Sequence, residues 1–338
     1  MLETLDNLLS MALPNHRVIH NIEAISESRA HTVWKITTNT SVYATKQHIF
    51  APLTRGKPYD LLAVEQKVTH HLLSHGISVP RIIATDSDHG LVLYEWRGDH
   101  TFDDICQSMD PEPYILSVIH TLCETQRAFH NAQFAPHVAP GCGLDDLQEQ
   151  WQIISQSLNK TLPELSQRIT GSSITPQVLA SLTTLLSYVA EAPPSLGLTD
   201  YNARNIVCTN TDTATLLELA KIGYDWPERR LVQYLTSLGA HNPNGRIVNV
   251  LTPSRAQYYA TTSSKLYQTP EKTILTRLDA HHLIYHLLAI QMCFVAQNDK
   301  EHPWKNIEAR ITQHHDQISH RFSNNKTICA LRDHFHKA

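Results

Sequence analysis

The segment LGLTDYNARNIVCTNTDTATLLELAKIG (196–223) holds an Asp, an Asn five residues later and a Glu inside an apolar run. Glu218 sits between Leu217 and Leu219, a costly position for a carboxylate unless something pairs with it. The runs NIVC and ATLLEL flank the polar stretch TNTDT, which is a hairpin signal. A symmetric antiparallel pairing centred between Thr211 and Asp212 places Asn205 opposite Glu218, with Cβ atoms about 5 Å apart. An amide oxygen and a carboxylate converging at that range suit a hard divalent cation such as Mg²⁺. A loop can then carry Asp200 to a hydroxyl, whose proton it accepts or orients. The bland alternative for TDYNARN is a polar turn or a helix cap.

Three further residues extend the constellation. In VYATK, Val42, Ala44 and Lys46 alternate onto one strand face. Lys46 there either snorkels to water from an edge or holds phosphate groups, with Ala44 as a small wall beside a flat base. Glu65 falls on the helix face shared by Leu61, Val68 and Leu72, so it points inward as the expected partner of Lys46. A strand Lys held by a helix Glu is a way to position an ammonium for a nucleotide.

The elements that must carry these groups form two parts. TVWKITT (32–38) and SVYATKQHI (41–49) read as a hairpin, and DLLAVEQKVTHHLLSHG (60–76) as an amphipathic helix ending at Gly76. ISVPRIIATD and GLVLYEWRG follow as strands. Beyond about residue 101 the spacing turns helical, over ILSVIHTLCETQRAFHNAQF, TPQVLASLTTLLSYVAEA, 228–239, 255–267 and 273–296. Residues 136–146 read as a surface excursion. The expected fold is α+β and bilobal, with a small mixed β-sheet N-lobe (1–96) and a larger, mainly helical C-lobe (97–338). Clefts between such lobes are common ligand sites.

Bulk composition narrows the function. With 338 residues, 41% apolar and 18% charged, the chain is an ordinary globular one. A net charge of −4 argues against a general nucleic-acid or anionic-membrane surface. No apolar run approaches the roughly 18 residues of a membrane span. Six Cys without a C-x-x-C pair read as reduced thiols of a cytoplasmic protein. His282 and His286, four apart on a helix, could reach one metal, but no third ligand is evident nearby. Core or solvated histidines fit better.

In order along the chain, A-x-K, a helical Glu, TDYNARN and LLELAKIG resemble the aminoglycoside phosphotransferase and choline kinase family of small-molecule kinases, which have a protein-kinase-like fold. The resemblance covers most of the chain. It implies ATP and Mg²⁺ as cofactors, with Lys46 on the phosphates, Glu65 as its partner, Asp200 as the catalytic residue, and Asn205 and Glu218 as metal ligands. It places Ala44 and the backbone around Glu95, Trp96 and Arg97 beside the base. ISESRAHTV stands where the family has a nucleotide-covering loop, so Ser26 and Ser28 would contact phosphate. TQRAFHNA resembles the helix that ends in Leu-His, with His130 as the match. Four features depart from the family. Leu198 and Thr199 replace His-Gly, Glu218 replaces Asp, Arg230 replaces an Asp that braces the catalytic loop, and the covering loop has no Gly. The implied activity is transfer of the ATP γ-phosphate to a hydroxyl of a small molecule. The alternative is a pseudokinase, a nucleotide-binding or scaffold protein that works through a protein partner. Asp145, Asp146 and Glu149, with Tyr224, Trp226 and Tyr285, suggest a cationic substrate that is choline-, thiamine- or aminoglycoside-like.

Overall fold

The computed structural model describes residues 7–10, 12, 19–130, 132–240 and 242–336. The N-lobe is a five-stranded sheet of β1 (Ile19–Glu27), β2 (His31–Thr38), β3 (Val42–His48), β4 (Ile82–Asp86) and β5 (Leu91–Glu95). Its spatial order is β1-β2-β3-β5-β4. The sheet is antiparallel throughout rather than mixed. The reason is topological. The crossover through α1 (Ala51–Thr54) and α2 (Leu61–Ser74) delivers β4 alongside the sheet, and the tight β4–β5 return then inserts β5 between β4 and β3.

Helix α2 begins at Asp60, whose side chain accepts from the Ala63 N–H, and it stops before Gly76 at φ +75°. Its buried residues are Leu62, Val64, Glu65, Val68, Thr69 and Leu72. Val64, Val68 and Leu72 belong to the same apolar core as Phe102, Ile119 and Leu231, so α2 ties the N-lobe to the C-lobe. Each such side chain contributes roughly 1.5–3 kcal/mol by leaving water. The sheet keeps a separate core around Ile36, Tyr43, Leu91 and Leu93.

The C-lobe is helical: α3 (Phe102–Ser108), α4 (Glu112–His130), α5 (Leu144–Thr170), α6 (Pro176–Ala190), α7 (Pro227–Thr236), α8 (Pro253–Tyr267), α9 (Glu271–Gln297), α10 (Ile307–Ile318) and α11 (Lys326–His336). Between α6 and α7 lie two small antiparallel pairs. One joins β6 (Ser195–Leu198) to β9 (Ile222–Asp225), and the other joins β7 (Ile206–Asn210) to β8 (Thr213–Leu216).

Five helices are not evident in the sequence spacing: α1, α3, α5, α10 and α11. For α5 the signal is present, because Leu147, Trp151, Leu158, Leu162 and Leu165 are buried at helical spacing. Pro163 and the polar residues between them mask it. The expected surface excursion is in fact docked. Ala139 N–H donates to Ile222 O (2.9 Å) and Tyr224 N–H to Cys142 O (2.9 Å), so this stretch packs against β9.

Among the described residues no helix is long and apolar enough to cross a membrane. All six cysteines are free thiols.

Candidate active site

A slot of about 420 Å³ opens between the lobes. Ile25, Val33 and Ala44 line it from the sheet, and Val207 and Leu217 line it from the β7–β8 pair. Two apolar surfaces facing across such a slot suit a flat ring. Tyr94, Glu95, Trp96 and Arg97 border it along the segment that joins the lobes. Gly98 has φ +138°, and a Cβ there would come within 3.0 Å of Val207, so only glycine lets the chain cross so close. Two backbone groups of this segment are already engaged. The Glu95 N–H donates to Arg81 O (3.0 Å), and Arg97 O accepts from the Thr209 hydroxyl (2.6 Å). Lys35 pairs with Asp99 at the rim and stands 4.8 Å from the Trp96 ring centroid.

The inner end of the slot is charged. Lys46 is buried and its Nζ lies 2.6 Å from Glu218 Oε1. The expected Lys46–Glu65 pair does not form. Glu65, with 0% exposure, instead meets His48 Nε2 at 2.7 Å through Oε2. Strand alternation explains the substitution, since Ala44, Lys46 and His48 share one face and His48 is the one that reaches α2. Burial alone would raise the Glu65 carboxyl. The His48 hydrogen bond and charge, with help from Lys46, outweigh burial and hold it below its ordinary range.

Asn205 does not stand opposite Glu218. At the hairpin tip Asn210 pairs with Thr213, the register expected from the turn, but beyond it Cys208 pairs with Ala214 and Ile206 with Leu216. Thr209 is the extra residue of a β-bulge, and it shifts the register by one. Its hydroxyl is drawn to Arg97 O, and the Cys208 N–H donates to His100 O at 3.2 Å. Docking on the interlobe segment therefore accompanies the shift. Asn205 is left opposite Leu217, whose N–H donates to Asn205 O (2.9 Å). Glu218 falls just past the end of β8 and turns to Lys46.

Asp200 occupies a well-held loop. Its carbonyl oxygen accepts from the Asn202 N–H (3.0 Å), the Tyr234 hydroxyl (3.2 Å) and Asn205 Nδ2 (3.4 Å). Burial, then the nearby Glu218 charge, raises the Asp200 carboxyl above its usual range, against the pull of Lys221, Lys46 and His31. His31, at the start of β2, was not anticipated. Burial and then Lys46 lower its imidazole, while Glu218 and Asp200 oppose the shift. Ser26 and Ser28 are exposed and do not line the slot. The Ser28 hydroxyl is spent on its own turn, accepting from the Ala30 and His31 N–H groups and donating to His31 O. His130 lies away from the slot, edge-on to Tyr267 at 5.4 Å.

Arg230 braces the loop with the opposite charge from the expected Asp. It donates to Ser195 Oγ (2.8 Å), Ser195 O (2.7 Å), Gly223 O (3.1 Å) and the Tyr201 hydroxyl (3.4 Å). Gly197 makes room for it, because a Cβ there would meet Arg230 Nη1 at 2.8 Å.

A second cavity, of about 470 Å³, lies on the Asp200 side and is walled by Cys142, Thr199, Tyr201, Lys221, Tyr224 and Gln233 among others. Asp145, Asp146 and Glu149 do not line it. Asp146 accepts from the Gly143 N–H (2.8 Å) at the α5 N-terminus. Trp226 is core, its Nε1 donating to Ala192 O (2.9 Å), and Tyr285 packs beside His286. Of the expected substrate residues only Tyr224 remains. The charged wall groups are Asp200, Asp225, Lys221 and Arg229, two of each sign, with Arg229 paired to Asp225 at 3.1 Å. Among the described residues no three His, Cys, Asp or Glu side chains converge to hold a metal by themselves.

This bilobal arrangement, a sheet lobe over a helical lobe with an interlobe slot, is the kinase-like fold of aminoglycoside phosphotransferases. Similar solved structures include the GDP complex of aminoglycoside 2'-phosphotransferase-IIIa, with TM-score 0.53 and 10% identity over 93% of this chain and 97% of that one. A putative aminoglycoside phosphotransferase from Ralstonia eutropha JMP134 has TM-score 0.53 and 12% identity, over 100% of this chain and 99% of that one. No family model matches the sequence. No curated protein matches it either.

Proposed function

We propose that the protein is a small-molecule kinase that moves the γ-phosphoryl group of ATP to a hydroxyl held in the Asp200 cavity. The observation that carries this reading is the position of the acidic groups. Asp200 lines the acceptor cavity, Glu218 and Lys46 line the slot, and the Glu218 charge is near enough to raise the Asp200 carboxyl. In the reaction the acceptor oxygen forms a bond to the γ-phosphorus as the bond to the β,γ-bridging oxygen breaks. ADP leaves, and the hydroxyl proton passes to Asp200. Lys46, released from Glu218, binds phosphate oxygens, and Ala44, Val33 and Leu217 enclose the base. The donor set fits Mg²⁺, since two interacting carboxylates and an amide are hard oxygen ligands that fall short of a full shell without phosphate oxygens. Asn205, its amide nitrogen turned to Asp200 O, and Glu218 would hold the ion. When bound it neutralises developing phosphate charge.

The charge balance of the acceptor cavity and its hydroxyl and amide groups favour a polar, hydroxyl-rich substrate, and positive charge on that substrate is not required. The deciding experiment is ADP or GDP release from Mg²⁺–ATP or Mg²⁺–GTP across a panel of sugars, amino alcohols and aminoglycosides. Turnover that Asp200→Asn leaves intact would refute the assignment.

The Lys46–Glu218 contact favours a second reading, a nucleotide binder without transfer, because it ties the phosphate cation to the metal carboxylate. Nucleotide binding indifferent to Mg²⁺, with no turnover on any acceptor, would establish it.

A further inference from the structure

A third cavity, of about 400 Å³, sits in the C-lobe behind the β6–β9 pair, outside the slot and the acceptor cavity. Its body is apolar, with walls from Phe129, Leu196, Pro227 and Ile274. One part of its lining is ionic. Glu228 and Arg277 both line it, with Nη1 4.0 Å from Oε1, the outer limit of an ion pair. Glu228 is 3% exposed, and Arg277 Nε is buried without a hydrogen-bond partner. Leaving the Arg277 Nε unpartnered inside a protein is costly, and a ligand acceptor that engages the guanidinium recovers part of that cost. One anion and one cation make the lining neutral overall, so it suits a neutral head that both donates and accepts. The apolar walls suit a compact hydrocarbon body.

We propose that this cavity is a second ligand site, for a small neutral molecule with an apolar ring or chain and a carboxamide-like head. The head donates to Glu228 and accepts from Arg277, and the body lies against Phe129, Leu196 and Ile274. Occupancy has a direct route to the catalytic loop. Ser195 lines the cavity and accepts two hydrogen bonds from Arg230, which also holds the Tyr201 hydroxyl next to Asp200. Tyr224 lines both this cavity and the acceptor cavity.

The probe is benzamide, with acetophenone as a matched control that keeps the ring and the acceptor but cannot donate. Crystals of the full chain soaked in benzamide are expected to show it between Ile274 and Glu228. Titration in solution is expected to show acetophenone about tenfold weaker, the loss of one hydrogen bond to a charged group. Ala132→Trp, at a half-buried lining position, is expected to abolish binding while leaving the circular dichroism spectrum unchanged. Because Trp at that position could disturb folding, Glu228→Gln is the second variant. It keeps the shape, and benzamide is expected to bind at least threefold more weakly. Benzamide located elsewhere, equal affinity for the two probes, or unchanged binding by folded Ala132→Trp or Glu228→Gln each overturns the proposal.

Discussion

At the residue scale, the half-buried Asp200 carboxylate, the proposed base, carries a cost in stability. The Asp200 carboxyl is raised above its unfolded value, so the unfolded chain ionises first and the folded state is penalised increasingly as pH rises from the unfolded value through the folded one. Asp200→Asn is therefore expected to raise the urea midpoint while lowering kcat by about 10²–10⁴-fold, the usual contribution of a positioned base. A lower midpoint in the variant would show that the carboxylate is stabilising and that the electrostatic argument is wrong. Arg230 works in the opposite way, since its four hydrogen bonds reach buried or half-buried acceptors. Arg230→Met strands those acceptors and is expected to cost about 2–4 kcal/mol in chemical denaturation. Loss of geometry at Tyr201 and Asp200 is expected to cut kcat by at least tenfold. Residue types were the most legible layer in the sequence. Lys46, Asp200, Asn205 and Glu218 announce themselves as charged or amide groups in apolar surroundings. His31, His48 and Tyr234 do not, because nothing local distinguishes them from the chain's many other polar side chains.

At the element scale, periodicity located most strands and helices but could not place them in register. The β7–β8 turn was read correctly from TNTDT, yet the bulge at Thr209 moved Asn205 from Glu218 to Leu217. A bulge answers to a partner outside the hairpin, here Arg97 O, so local sequence holds no trace of it. The pair His282 and His286 on α9 has a similar lesson. Their spacing fits a metal site, but the structure joins them in a buried chain. His286 contacts His282 at 3.2 Å and His314 of α10 at 3.0 Å, while His282 meets Asn249 at 2.9 Å. Burial is the chief force lowering all three imidazoles, with the neighbouring Arg332 adding to it for His282 and His286, and His314 falls to about 4. With folded values below the unfolded value of about 6.5, the unfolded chain takes up protons first as pH falls. The α9–α10 region is thus expected to lose stability steeply below pH 6.5. Urea midpoints at pH 7.5 and pH 5.5 check this, and a flat profile would contradict it. Replacing His314 with Gln is expected to reduce the slope by about one proton.

For the whole molecule, the lobes meet through the α2 core and the Lys46–Glu218 pair. On the proposed kinase reading, Mg²⁺–nucleotide would separate that pair, linking binding to the lobe arrangement. A nucleotide at 100 times its Kd is expected to stabilise the fold by about 2.7 kcal/mol. Lys46→Met is expected to remove most of that gain in a thermal-shift titration while leaving the unliganded protein folded. Equal stabilisation of both proteins would place the nucleotide elsewhere.

The sequence by itself determined the bilobal α+β plan, the helix carrying Glu65 and the β7–β8 turn of the 196–223 segment. These follow from hydrophobic spacing and from the cost of isolated charge, both of which act over a few residues. Only the tertiary structure decided which partners meet: Lys46 with Glu218, Glu65 with His48, Arg230 with Ser195, Tyr201 and Gly223. Those pairings link positions far apart in the chain, and they are chosen by burial, which forces each charge to take whichever partner the packed lobes bring within reach.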